Sequence, residues 1–454
     1  MSDAMPASLN EVTRRIATRV TVPHVLFFGA CIAFAFDYQL RPGIGGTPIQ
    51  KLITIVGAAL ALLFCAFGLT RRRRSGVWKA WLMWFAYVSI VSVSSWVNGA
   101  STSDYLRVST PFWLCGLGIL CVDVAERLGF RPRTILAAIA VMTVISFIWR
   151  PIVAVTLLQI PMGRLRHQFL SPLICFALAA GCDWAMGRRR RLLGISIALV
   201  CVAALVLSTT RAFLIAVAFT ICGLVAISGW SARRARGGIR KMVGLAVATC
   251  ALLLGFLAAE AIRPDVGSRW RERLTGQVAE GDVTWLTREM EFVGAWHYLT
   301  ADTRVLVFGA GMGTLFSPDM SYAIPIRRYI DGTFSKSFNV VHSFWVGSLY
   351  HGGLAFGWFV PVFLLYSMYT AWRRLPSRHQ VPGLSPQMLV LLGIVFLLGT
   401  SFTSSFFVDR QLGFALGVVC AMAFAFLPHA SDRAMGTIED RHIDISHDDM
   451  RPHC

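Results

Sequence analysis

Apolar residues fall in blocks of about 20 separated by short polar connections, the length that crosses a bilayer as helix rather than the pattern of a water-soluble core. Twelve such spans can be drawn, at 22–38, 52–70, 78–97, 107–124, 134–150, 168–186, 192–209, 211–230, 242–260, 341–371, 386–405 and 411–428. In the fifth, Arg150-Pro151 interrupts an apolar run that continues to Ile160, so 151–160 reads as interfacial or re-entrant. The first run follows Arg14, Arg15 and Arg19 as in a signal peptide. No small-residue cleavage site follows it, so it is expected to remain as an uncleaved helix.

Composition agrees with this pattern. Hydrophobic residues make up 56% of the 454 and charged residues 15%, with a mean hydropathy of +0.61, which argues against a soluble domain. A net charge of +19 would usually suggest nucleic acid, but its distribution explains it better. Alternate connections, with the segment before the first span, hold 23 basic residues, among them Arg71–Arg74, Arg188–Arg191 and the cluster from Arg233 to Lys241. The short connections and span ends of the opposite side hold eight: Arg41, Lys51, Arg107, Arg150, Arg164, Arg166, Arg211 and Arg410. The positive-inside rule then puts both termini in the cytoplasm. Ten of the 11 cysteines lie in or beside apolar segments without a CxxC, and they read as helix-packing residues rather than disulfide or zinc ligands.

The chain therefore divides into spans one to nine (1–260), an external loop (261–340), spans ten to twelve (341–428) and a cytoplasmic tail (429–454). The tail is polar and carries four histidines whose spacing fits no metal site, and it is expected to be disordered. The loop has nine basic and nine acidic residues and is rich in Trp and Tyr. Within it, residues 282–300 put Trp285, Phe292, Val293, Trp296 and Leu299 near one helical face, with Arg288, Glu289 and Glu291 mostly elsewhere. That pattern fits a helix lying on the membrane surface, and fits equally a helix packed on its own loop.

Two places draw attention for chemistry. Arg211 sits in the tight turn LSTTRAFLIA between spans seven and eight, beside Ser208, Thr209 and Thr210. It fits a snorkelling arginine, or an arginine aimed at a phosphate in the outer half of the membrane. His342 opens the stretch VHSFWVGSLYHGGLAFGWF at the entry to span ten, where an interfacial histidine and a base are both open readings. On one continuous helix His351 would lie about 13.5 Å deeper and half a turn round, so the two histidines should not share a site. Gly353-x-x-x-Gly357 offers a small-residue face for close helix packing. The run Gly309-Ala310-Gly311-Met312-Gly313 has no βαβ surroundings, and a tight turn is expected rather than a dinucleotide site.

Taken in order, the short Ser/Thr-Arg turn after span seven, the long external loop with an Arg-bearing helix followed by VFGAGMGT, and a membrane-entry His followed by spaced glycines resemble the bacterial O-antigen ligase and O-antigen polymerase superfamily. The resemblance covers roughly residues 190–370 in detail and the other spans by topology alone. It implies an all-α polytopic membrane fold, glycosyltransferase C-like, with about 12 transmembrane helices and one long periplasmic loop between helices nine and ten. It implies an inner-membrane enzyme that moves a glycan from a polyprenyl-diphosphate donor to a lipid A-core sugar, or to another lipid-linked repeat. The family's loop histidine corresponds to His342 as catalytic base, and its arginines to Arg211 and Arg288 on the donor diphosphate. Arg328, with its neighbour Arg327, is a weaker match to the same role. The chemistry suits the residue types: cations bind a diphosphate leaving group, and one imidazole takes a proton from a sugar hydroxyl. Direct attack inverts the anomeric centre, and no metal, cofactor or nucleic acid is expected. A twelve-span transporter of lipid-linked glycans is the rival class. Against it, Asp37, Asp123, Asp183, Glu260 and Asp409 all fall near span ends, and the one long loop follows span nine rather than dividing the chain into halves.

Overall fold

The computed structural model describes residues 21–37, 47–69, 76–156, 159, 173–186, 190–208, 216–217, 283–317, 341–375, 385–401, 405, 407 and 409–425. Spans eight and nine (Ala216 and Val217 excepted), Arg211, Arg327, Arg328, both chain termini and most of the loop beyond 283–317 lie outside the described residues.

Every regular element among the described residues is helical. They are α1 (Val22–Phe36), α2 (Pro48–Leu69), α3 (Trp78–Val97), α4 (Thr102–Arg127), α5 (Pro132–Thr156), α6 (Ile174–Met186), α7 (Arg191–Ser208), α8 (Val283–Thr300), α9 (Thr303–Phe308), α10 (Phe344–Phe356), α11 (Phe359–Arg373), α12 (Pro386–Thr400) and α13 (Arg410–Met422). Five are long and apolar enough to cross a membrane, namely α2, α3, α4, α5 and α7, and the bent pair α10–α11 would make a sixth. Helices α1, α6, α12 and α13 are apolar but shorter. This is the character of an α-helical membrane protein.

The bundle is organised round α4, the most buried of the long helices. Gly413 and Gly417 of α13 lie so close to it that a Cβ on either would meet the carbonyls of Pro111 and Cys115. Pairing 111 with 413 and 115 with 417 makes the two helices parallel, so Thr102 and Arg410 mark the same end of the bundle. With lipid tails as apolar as any side chain, such backbone-to-backbone approach gives the van der Waals contact that holds helices together in a membrane. At the opposite end Arg374 donates to the carbonyls of Ala423 (2.6 Å) and Ala425 (3.3 Å), capping α13. Helices α2 and α3 instead turn residues such as Leu52, Ile55, Leu62, Met83 and Val93 outward, as a lipid-facing surface requires.

Two spans differ from the sequence expectation. Helix α5 runs through Arg150-Pro151 to Thr156 rather than stopping there. Arg150 is 6% exposed. Its guanidinium is neutralised by Asp409 (2.6 Å) and hydrogen-bonds Gln411 (2.8 Å), both from the start of α13. Span ten is not one helix: α10 and α11 meet at 102°. Gly353 has φ +60° and breaks the helix, and a Cβ there would collide with Gly309 and Val307, so the close packing expected at Gly353 is made against α9 and the glycine after it, at a bend rather than along a continuous helix.

Candidate functional site

The site is built from the loop upward. Helix α8 is amphipathic, but its inward face is not the one its aromatics suggest. Met290, Glu291, Ala295 and Leu299 are buried, while Phe292 and Trp296 stand exposed. Leu299 and Ala295 pack with Val305, Val341 and Tyr350 in a small core of their own. Asp302 then caps α9 by accepting the N–H of Arg304 at 2.8 Å.

The glycine-rich run that follows is not an exposed turn. Gly309, Gly311 and Gly313 all have φ between 83° and 84°, a left-handed conformation natural only to glycine. The segment lies as an inlay between α3, α4 and α10. Ala310 N–H donates to Tyr350 O (2.8 Å) and Gly311 N–H to His351 O (3.1 Å). Met312 N–H donates to Ser95 Oγ (2.6 Å), and Asn98 Nδ2 to the carbonyls of Gly309 and Ala310 (both 3.1 Å). The His351 ring, buried, donates from Nδ1 to Gly311 O at 2.9 Å. His351 is thereby a structural residue, and the two histidines have separate partners.

The inlay fastens α8 beside the start of α10, where Phe344 N–H donates to Ser401 O (3.0 Å) and Trp345 Nε1 to Ser401 Oγ (2.8 Å). Between these anchors His342 meets α8. Its Nδ1 lies 2.8 Å from Glu291 Oε1, and its backbone N–H donates to Oε2 at 3.2 Å. Arg288 Nη1 reaches both oxygens of the same carboxylate, at 3.0 and 3.2 Å. The Glu291 side chain is 1% exposed, Arg288 24% and His342 34%. Burial pushes the Glu291 carboxyl up, and His342 and Arg288 together more than offset it, leaving it below the ordinary glutamate value and ionised. Arg288 Nε is buried with no partner among the described residues.

Of the residues singled out from sequence, the fold brings Arg288 and His342 together, while Arg211 and Arg328 lie outside the described residues. Arg288 is engaged first with Glu291 rather than standing free for an anion. The sequence pattern put Glu291 with Arg288 and Glu289, mostly away from the apolar face. A signal was present: Glu291 shares a row with Ala295 and Leu299 at i+4 and i+8, the row that is buried.

A second ionic cluster sits at the same end of the bundle. Arg410 pairs with Asp37 (3.1 Å), and Thr54 Oγ1 also donates to Asp37 (3.4 Å). Beside it, Gln411 Oε1 accepts from both Arg150 and Ser146 (2.9 Å for the latter). Chemically, the first arrangement can hold a proton acceptor beside a cation, whereas this second one closes charges upon each other. No protein-family model matches the chain, and comparison with curated proteins finds no relative that could assign this geometry a role.

Proposed function

We propose that the chain is an O-antigen ligase-like glycosyltransferase, acting on a polyprenyl-diphosphate-linked glycan at the periplasmic face of the bacterial inner membrane with both termini in the cytoplasm. One arrangement carries the reading: a partly exposed histidine at the mouth of an apolar helix, braced by a buried carboxylate that also holds an arginine. His342 takes the proton of the acceptor hydroxyl as that oxygen attacks the anomeric carbon. The bond from that carbon to the diphosphate breaks with inversion, its electron pair leaving on phosphate oxygen. Arg288 meets the growing negative charge through the N–H groups that Glu291 leaves uncommitted, and the family resemblance assigns Arg211 and Arg328 to the same role. Since the diphosphate bond carries the activation, the reaction consumes no nucleotide. The acceptor is a lipid A-core sugar. A polymerase would use the same residues on a lipid-linked acceptor.

Transfer by the purified full-length protein in lipid vesicles, with a chelator present, tests the reading. Glycan transferred from lipid-linked donor to core acceptor supports it, and transport of donor without transfer sinks it. In a deletion strain, loss of all long lipopolysaccharide chains with accumulation of lipid-linked polymer indicates the ligase, whereas core bearing one repeat indicates the polymerase. Cysteines placed at Ser101 and Ser317 should be labelled from outside and those at Ser75 and Ser377 should not.

A further inference from the structure

We propose that Glu291 is a positioning residue: it holds His342 as the tautomer protonated on Nδ1, so that Nε2 is the nitrogen that accepts the acceptor's proton, while Arg288 keeps the carboxylate in place. The proposal rests on the transfer reading above and specifies how its base works.

The geometry is a two-point grip. Glu291 takes the backbone N–H of His342 on one oxygen and approaches the ring on the other, so both the residue's position and its ring plane are referred to α8. An ionised carboxylate has lone pairs and no proton to donate, so the Nδ1 in contact with it must carry the hydrogen. A neutral imidazole then has its free lone pair on Nε2. Had the carboxylate served Arg288 alone, nothing would require its 1% exposure or its second and third N–H donors. The other charged or titratable groups in the elements packed against α8 are engaged elsewhere. Asp302 pairs with Arg304 (3.7 Å), Tyr350 donates to Thr314 O (3.2 Å) and His351 to Gly311 O.

The charges balance through the step. At rest the carboxylate and guanidinium cancel and the imidazole is neutral. When Nε2 takes the hydroxyl proton, the cluster becomes +1 as the departing diphosphate gains negative charge. The Nδ1 proton stays on the ring throughout, and the new Nε2 proton is released to water before the next turnover.

The test uses full-length protein in lipid discs with ring-¹⁵N histidine, and His342→Asn identifies the His342 signals by difference. Wild type should show Nδ1 protonated and Nε2 bare near neutral pH, and Glu291→Ala should show mixed tautomers. A His342 ring that is already mixed, or protonated on Nε2, in folded wild type overturns the proposal without any appeal to activity. Glu291→Gln should lower kcat at least about tenfold, less than the about 10²–10⁴ expected on losing the base outright, and move the acid limb of the pH profile. Donor KM should stay within about twofold, and Glu291→Asp should recover part of the rate. A purely structural Glu291 would leave the pH profile unmoved, which overturns the proposal. A correct tautomer in a protein that transfers no glycan defeats the glycosyltransferase reading instead, leaving the ring's orientation as assigned.

Discussion

Two ionic clusters occupy one end of this bundle, and they are built for opposite purposes. Around Arg150 and Arg410, two arginines meet two aspartates. Asp37 is 2% exposed, and the participating groups come from α1, α2, α5 and α13. The carboxylates there come from the cap residues Asp37 and Asp409, and the arginines from α5 and α13. Around Glu291, one arginine and one histidine share a carboxylate supplied by the loop helix, and the histidine is 34% exposed. This cluster presents an imidazole that solvent or substrate can reach. Buried ion pairs closed upon each other tie helices; an imidazole left partly open can meet a substrate.

Removing one member from each cluster separates those roles. The largest effect on rate is expected from His342→Ala, a drop of about 10²–10⁴ in glycan transfer with donor binding unchanged. Asp409→Ala should do the reverse. Stripping the ion-pair partner from the buried Arg150 should cost about 3–5 kcal/mol of stability, read as a lowered unfolding midpoint in detergent, while each folded molecule transfers at the wild-type rate. Next comes Arg211→Ala, expected to weaken donor binding by about 1.5–3 kcal/mol in a direct binding assay. Arg211→Lys should restore part of that, since an ammonium lacks the two-pronged fork. The smallest effect concerns pH. The Glu291 carboxyl is held below its ordinary value, so the stability it adds is fully present above the ordinary glutamate range and is lost as pH falls through the depressed value. The difference in unfolding midpoint between wild type and Glu291→Gln should therefore shrink on acidification, and a difference that grew would contradict the ionised grip.

The spans were legible where local hydrophobicity and local turn chemistry agree. Trp78–Val97 was placed to the residue, with Gly76 before it and Asn98-Gly99 after it. What escaped local reading was long-range neutralisation. The partners of Arg150 were out of local reach because Gln411 is 261 positions away and Asp409 is almost as far. Glycine spacing was legible in part. The 353/357 pair drew attention and Gly353 does pack closely, against Val307 and Gly309, whereas the helix break at Gly353 and the seam at Gly413 and Gly417 have no local signature. At the site, His342 and Arg288 were found through their order along the chain. The contact of Glu291 with His342 was not legible, because that partner on α10's threshold enters only once the loop folds back.

The 102° break between α10 and α11 has a consequence for how the site sits in a bilayer. A histidine at the head of one unbroken spanning helix would rise and sink as that helix tilted to match the hydrocarbon thickness. Here α10 is 13 residues long with the non-helical Gly353 inside it, and ends at the break. Its height is set by the inlay on Ser94, Ser95 and Asn98 at the end of α3. His342 is thus registered to one interface rather than to the whole slab, and a thicker or thinner membrane is absorbed by α11 below the break. On the transfer reading proposed above, a lipid-linked diphosphate would lie in that same interfacial plane whatever the length of the lipid tails around it, so base and headgroup would keep a common level.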